Sequence, residues 1–365
     1  MNRRHFLLGG GTLLALGGGA WWDMRRRMGS AADYDAVARA LRATLAAQPS
    51  LPEMIRYATL ASNGHNTQPW RFAVAPGAVT IHPDFARRTP VVDPDDHHLF
   101  VSLGCAVENL ALAAAASGRH GEVVFDAGGP GAIVFAHQAG PRARSALCDA
   151  IPRRQSTRAD YDGRPVAAAD LATLARAASV PGVAMVLLTD RPRLDRVRDL
   201  VVAGNSAQLA DPAFVRELKA WLRFNPRAAM RSRDGLYSAA SGSPALPSWL
   251  GPRAFDLFVT ASAQNDQYAR QIASSAGVAV FVGDRADREH WVRVGRACQR
   301  FALQATALGL RTAFINQPVE DAALRPDLAR LIGTPGQRPD IVMRFGHGPL
   351  LPYALRRPVA AVLAG

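Results

Sequence analysis

The chain has 365 residues, a formal net charge of +13, 48% hydrophobic and 20% charged residues, and three cysteines. That composition excludes disorder, a collagen-like repeat and a coiled-coil rod, while the scattered Cys105, Cys148 and Cys298 form no CxxC pair and so neither a disulfide framework nor a zinc cage. The 42 arginines and single Lys219 show no run beyond Arg25-Arg26-Arg27 and no basic–aromatic stripe, which speaks against a nucleic-acid binder and for a mildly basic body with anionic ligands.

Asn2-Arg3-Arg4-His5-Phe6-Leu7 sets two arginines before an apolar stretch, Phe6 to Trp22. Its Gly-Gly steps make a poor soluble helix, each glycine costing roughly 1 kcal/mol against alanine. The segment resembles a twin-arginine export signal. That resemblance implies handling by the twin-arginine translocation machinery, which moves folded proteins, and a location in the periplasm or at the outer face of the cytoplasmic membrane. No clear A-x-A cleavage site follows, and Trp21, Trp22 and Arg25 to Arg27 have the character of an interfacial anchor. Cleavage and membrane attachment through residues 6–22 are both open. Residues 1–30 are set apart as this segment, and no other stretch is expected to span a membrane.

From residue 31 helical and strand patterns alternate. Helices are expected over 33–48 and 52–61, the second opened by Ser50 with Glu53 three residues on, which is the capping-box spacing. Short strands at 70–75 and 78–82 flank Pro76-Gly77, an Ala-rich helix covers 96–117, and strands follow near 122–125 and 131–136. The second half offers a helix at 168–178, strands at 183–188 and 277–283, a long helix at 287–308, and strands at 311–315 and 340–345. A shift of 191 residues superposes the two long helices: 8 of 20 positions are identical between 99–118 and 290–309, including Gly104/Gly295 and the closing Gly118/Gly309. Two copies of one unit, 31–150 and 151–365, are therefore expected to pack as the halves of a symmetric dimer do. Residues 204–252 have no counterpart and carry Trp221, Arg231 and Trp249; an insertion this long reads as a lid over a binding site, with a helical stretch at 212–223.

Two motifs carry candidate chemistry. Ser62-Asn63-Gly64-His65-Asn66-Thr67-Gln68-Pro69-Trp70 is a polar loop between a helix and a strand, with Ser62, His65, Asn66 and Gln68 suited to hydrogen-bonding a ligand rim. Arg154-Gln155-Ser156-Thr157-Arg158 in an extended chain aims Arg154, Ser156 and Arg158 to one side, a grip for a phosphate dianion. The acidic, His-bearing run Asp93, Asp95, Asp96, His97, His98 reads as a helix cap and first turn, so no metal site is expected. No Gly-x-Ser-x-Gly or Ser/His/Asp set supports a hydrolase.

Together the two motifs resemble the nitroreductase family of FMN-dependent flavoproteins. Arg344-Phe345-Gly346-His347-Gly348 and Leu355-Arg356-Arg357-Pro358 match that family's final strand and basic tail, and Asn316 follows the second long helix where the family's backbone lies near the flavin. With the fused halves, export signal and central insertion, the nearest branch resembles the Acg family. The resemblance implies an α+β fold of two nitroreductase-like halves, with mixed sheets flanked by helices, forming an intrachain pseudo-dimer that functions as a monomer. It implies FMN held by Arg154, Ser156, Arg158, Ser62, His65, Asn66, Gln68, Asn316, Arg356 and Arg357, with NAD(P)H as a candidate donor and a flat small-molecule acceptor, nitroaromatic or quinone. No catalytic acid or base is assigned. The first half lacks Arg-x-Ser-x-Arg and the second lacks Asn-x-Gln-Pro-Trp, so one FMN site per chain is expected. The competing expectation is a lid-covered flavin store without turnover, marked by Trp221, Arg231 or Trp249 touching the ring.

Overall fold

The computed structural model describes residues 26–364; the twin-arginine segment and the apolar stretch Phe6 to Trp22 lie outside the described residues. In the first unit α1 (Ala31–Leu41) is capped by Ser30 and stops short of the expected residue 48. Helix α2 (Leu51–Thr59) carries the capping box, with the Ser50 side chain accepting from Glu53 N and the Glu53 carboxylate accepting from Ser50 N. Strands β1 (Trp70–Ala75) and β2 (Ala78–Pro83) turn at Gly77, whose φ of +74° suits glycine. Helix α3 (His97–Ala116), β3 (Arg119–Asp126), β4 (Ala132–Ala139) and α4 (Ala146–Ala150) complete the unit. Helix α3 is long and apolar enough to cross a membrane, contrary to the sequence expectation, but 78% of its most apolar window is buried inside the protein.

The second unit runs from α5 (Ala168–Ala177) and β5 (Val183–Leu188) through an insertion. The insertion comprises α6 (Arg191–Ala210), α7 (Pro212–Trp221), β6 (Leu222–Arg223), α8 (Pro226–Ser232), β7 (Leu236–Tyr237), α9 (Gly251–Phe258) and α10 (Ala261–Ala273). The chain then resumes with β8 (Gly277–Gly283), α11 (Arg288–Ala307), β9 (Arg311–Phe314), α12 (Gln317–Glu320), α13 (Arg325–Leu331) and β10 (Pro339–Gly346). The insertion is thus wider than the expected 204–252, and the sequence pattern showed α7 but missed α6, α8, α9 and α10.

The first sheet has the order β1-β2-β4-β3 and the second β5-β8-β10-β9, so each unit arranges its strands first, second, fourth, third. Every ladder between strands of these two sheets is antiparallel, and the parallel pairing that mixed sheets would need is confined to isolated bridges at their edges, Phe72 with Leu363 and Ser156 with Thr312. The reason is topological. Each long helix joins two strands that run parallel, β2 to β3 and β8 to β9, but the following strand inserts between them and pairs antiparallel with both.

Helices α3 and α11 cross backbone to backbone. A Cβ on Gly104 would lie 2.1 Å from Val292 O, and one on Gly295 would lie 2.0 Å from Val101 O, a reciprocal contact between the residues that the 191-residue shift equates. One continuous apolar core spans both units around this crossing. Cys105 and Cys298 are buried there as free thiols, their sulfurs 3.6 Å apart.

The sheets differ in cover, and their sequences say so. Strand β2 alternates buried Val79 and Ile81 with half-exposed neighbours, as one solvated face requires. Strand β8 is buried along its whole length, because Leu194, Val197 and Val201 of α6 close its second face. The end of the second unit crosses to the first, where Val362 and Ala364 hydrogen-bond the edge strand β1 at Phe72; within the second unit Thr157 N donates to Thr312 O of β9 at 2.8 Å.

Candidate functional site

A cavity of about 510 Å³ lies between the two units, under the insertion. Its walls come from the loop Ser62 to His65, from Val101, Ser102 and Cys105 of α3, from Arg158, and from Phe314, Asn316, Gln317 and Glu320. The insertion roofs it with Phe214, Leu218, Leu222, Phe224, Leu246 and Phe255. Of the ten residues singled out in the sequence, Ser62, His65, Arg158 and Asn316 line the cavity.

The other six serve its walls. Arg154 is buried and donates to Leu60 O at 3.0 Å. Arg356, also buried, donates to Thr59 O at 2.6 Å, Asn66 Oδ1 at 2.8 Å and Ala61 O at 3.0 Å. Asn66 Nδ2 donates to Gly235 O and Leu355 O, and Gln68 binds Arg233 O while accepting from Arg357 N. Ser156 bridges to Thr312, and the Arg357 guanidinium donates to Ala361 O. Arg344, which closes the core strand β10, is fully buried; it donates to Thr157 O and Ala159 O and lies 4.0 Å over the Tyr161 ring, fixing the stretch that ends in Arg158.

The polar loop is held in a strained form. His65, Asn66 and Gln68 have φ of +46°, +55° and +55°, three of the five non-glycine residues with positive φ among the described residues. Such residues persist where surroundings over-determine them, typically at functional sites. The restraints here are long-range: the turn at Arg233 to Gly235 in the insertion and the tail at Leu355 to Arg357 both grip the loop, and Arg87 ties Thr67 to Asp234.

Electrostatics single out two regions. Half-buried Arg42 and buried Arg154 and Arg356 are mutually close and bonded mainly to carbonyls; desolvation and the neighbouring guanidiniums press Arg42 down to about 9 and Arg356 well below its ordinary value. Arg154 and Arg356 bind the carbonyls of Leu60 and Ala61, directly behind Ser62, while Arg42 binds those of Pro152 and Arg154, and together they give that wall an excess of positive charge. On the wall itself, burial, Arg158 and His98 push His65 down to about 4, so its imidazole is neutral at physiological pH.

Opposite, Gln208 Nε2 donates to Glu320 at 2.6 Å and His98 Nδ1 lies 3.7 Å from its carboxylate. Burial raises the Glu320 carboxyl above its ordinary 4.5, Asp93 adds to the rise, and His98 and Gln208 oppose it. A raised acid holds its proton to higher pH in the folded than in the unfolded chain. Its contribution to stability is full below the ordinary value and lost as pH rises through the folded one. Thermal melts from about pH 4 to 8 should therefore show the parent losing stability relative to Glu320→Gln as pH rises. A constant difference would mean that Glu320 ionises as it does in water.

Asp93 accepts from His98 N at 3.0 Å and Leu99 N at 2.9 Å, which is the expected cap of α3, and His97 Nε2 lies 2.9 Å from buried Asp340. Asp93, His97 and His98 bring possible ligand atoms within 4.8 Å of one another, with each Asp93 oxygen accepting one backbone N–H and His97 Nε2 lying beside Asp340 without a hydrogen bond. Sequence reasoning missed Gln264, Gln267, Tyr268 and Gln271, which line the cavity from α10. Their signal was present: they recur at i, i+3, i+4 and i+7, a polar stripe on one helix face.

The family model described as Nitroreductase family matches residues 151–347. Two Mycobacterium tuberculosis proteins provisionally named NAD(P)H nitroreductases, Rv3131 of strain H37Rv and MT3217 of strain CDC 1551, are each 28% identical over 327 residues, covering 85% of this chain and 90% of their own. Among solved structures, the FMN-dependent nitroreductase NfnB of Mycobacterium smegmatis in complex with NADPH is 14% identical with a TM-score of 0.37, over 56% of this chain and 87% of that one. With more than half of its residues matched by the family model, the chain belongs to the nitroreductase family.

Proposed function

We propose that this chain is an FMN-binding oxidoreductase of the Acg type, taking electrons from NAD(P)H and delivering them to a flat acceptor of the nitroaromatic or quinone class. The observation that carries the proposal is the cavity itself, where Ser62 and His65 from one unit meet Arg158 and Asn316 from the other. Its chemistry fits the cofactor. Ser62 Oγ and Gln317 Oε1 on the wall, and Arg154 Nε behind it, are buried polar atoms without a hydrogen-bond partner, as a ligand rich in donors and acceptors would require. The crowded guanidiniums of Arg42, Arg154 and Arg356 are what a phosphate dianion would relieve, with Arg158 the arginine that reaches the cavity.

When bound, the flavin supplies the hydride and electron transfer; the chain binds, orients and shields it. Asn316, whose Oδ1 accepts from Val342 N, keeps the β9 turn rigid on one side, and the strained loop does the same on the other. Neutral His65 adds no positive charge to the ring edge.

The two units are read as fused halves of one dimer, a reading supported by their shared strand order and reciprocal glycine crossing. The insertion is read as a lid. Storage of flavin without turnover would be favoured by ring contacts from Trp221, Arg231 or Trp249, and none of the three lines the cavity. The N-terminal motif supports export by the twin-arginine route to the periplasm or the outer face of the membrane.

Flavin released by heat and quantified against protein should give one FMN per chain. A ratio near two, FAD in place of FMN, or no flavin in fully folded protein would each overturn the single-site proposal. Addition of NADPH without oxygen should bleach the bound flavin, as turnover requires and storage does not.

A further inference from the structure

The three most exposed large apolar side chains among the described residues sit together on the insertion: Phe258 at 72%, Leu257 at 70% and Trp249 at 64%. Arg253 and Leu257 lie four apart on one face of α9, Trp249 lies in the turn two residues before the helix, and Arg253 donates to Trp249 O. The other face of the same helix, Ala254, Phe255 and Phe258, lines the cavity. An eight-residue helix with apolar groups on both faces does not fit a simple solvent-exposed position, and contiguous exposed apolar groups of this kind mark an interaction surface.

Where the chain enters the body says what covers that surface. Gly29 packs on the first turn of α8, its α-carbon so close that an added Cβ would lie 2.9 Å from Arg227 N. The residue that caps this turn, Asn225, donates to Ser248 Oγ and Leu246 O, immediately before Trp249. The described chain therefore begins beside the Trp249 end of the patch, and in sequence the apolar stretch Phe6 to Trp22 precedes it. The surrounding segment 211–260 carries seven basic and four acidic residues, a balance suited to an anionic lipid surface.

We propose that the Trp249–Leu257–Phe258 edge is a membrane-docking surface, and that through it a lipid-dissolved quinone enters the cavity alongside α9. Tryptophan and phenylalanine at the boundary of headgroups and acyl chains, with arginine between them, are the residues such a surface uses. The docking half stands on the geometry alone; the quinone half rests on the flavin oxidoreductase proposed above.

The three native cysteines are buried, so a single polarity-sensitive thiol label at Leu257→Cys in the full chain reports that site, with Glu122→Cys on the edge strand β3 as control. On mixing with phosphatidylglycerol-containing vesicles, the label at 257 should shift to the blue and brighten several-fold while that at 122 stays unchanged. Equal response at both sites overturns the docking surface. So does a blue shift at 257 that appears with rising protein concentration and no vesicles, which would assign the patch to self-association. In the activity arm, Trp249→Ser with Leu257→Ser, neither of which lines the cavity, should slow reduction of a long-tailed quinone held in vesicles on the order of tenfold and leave a short, water-soluble quinone unaffected. Equal slowing of both quinones overturns the entry route. If the label enters the bilayer but the parent reduces neither quinone, docking stands and the quinone-reducing function falls.

Discussion

Gly104→Ala should destabilise the protein by at least about 3 kcal/mol, the upper end of what overpacking costs, or prevent soluble folding altogether. The new methyl would meet Val292 O at 2.1 Å and the Gly295 α-carbon at 3.0 Å, both backbone atoms of a rigid helix, so no side-chain rotation makes room. Helices α3 and α11 would have to separate along their length, opening the core that joins the two units. Gly295→Ala should behave alike because the contact is reciprocal. Gly309→Ala is the control: its φ of +78° costs about 1–2 kcal/mol for any L side chain, but no atom lies within 4 Å of the added Cβ. Denaturant melts of the three variants check this. If Gly104→Ala costs no more than Gly309→Ala, the helices do not cross where their glycines meet.

The second large effect is on the ligand. Arg158→Ala removes the one arginine of the Arg-x-Ser-x-Arg motif that reaches the cavity, a charge-assisted contact of about 1.5–3 kcal/mol. FMN affinity should fall roughly ten- to a hundredfold, with little change in melting temperature. Asn66→Ala should also weaken FMN, but by another path. Asn66 does not line the cavity; it holds the strained loop to Gly235 and Leu355 and accepts from Arg356. Its loss should lower stability and affinity together, the affinity by a smaller factor. Titrations at fixed ionic strength are needed, because phosphate contacts are screened by salt. Asn66→Ala protein that binds FMN like the parent would mean that the loop of the first unit takes no part in the site.

What the sequence by itself determined is what short-range chemistry controls. Ser50 and Glu53 cap α2 because the box needs only three residues of spacing. The alternation of Val79 and Ile81 marks β2, the apolar run from Gly277 to Gly283 marks a strand, and the glycines matched at 104 and 295 mark the repeat of one unit. The two ligand motifs were legible as types of residue on a loop and an extended chain.

Only the tertiary structure decided which of those residues face the cavity. Arg154 and Arg158 are two side chains of the same alternating motif, yet Arg154 turns to the carbonyl of Leu60 and Arg158 to the cavity. Strand direction was decided at the same level, since antiparallel pairing follows from β4 and β10 inserting between earlier strands. The insertion helix α6 has polar residues around much of its surface, and its core stripe of Leu194, Val197 and Val201 gains meaning only against β8. Caps and periodicity act within a turn or a strand and can be read locally. Burial, the direction of a long arginine side chain and the strain held at His65, Asn66 and Gln68 depend on contacts from Gly235 and Leu355, some 170 and 290 residues away, which only the folded chain brings together.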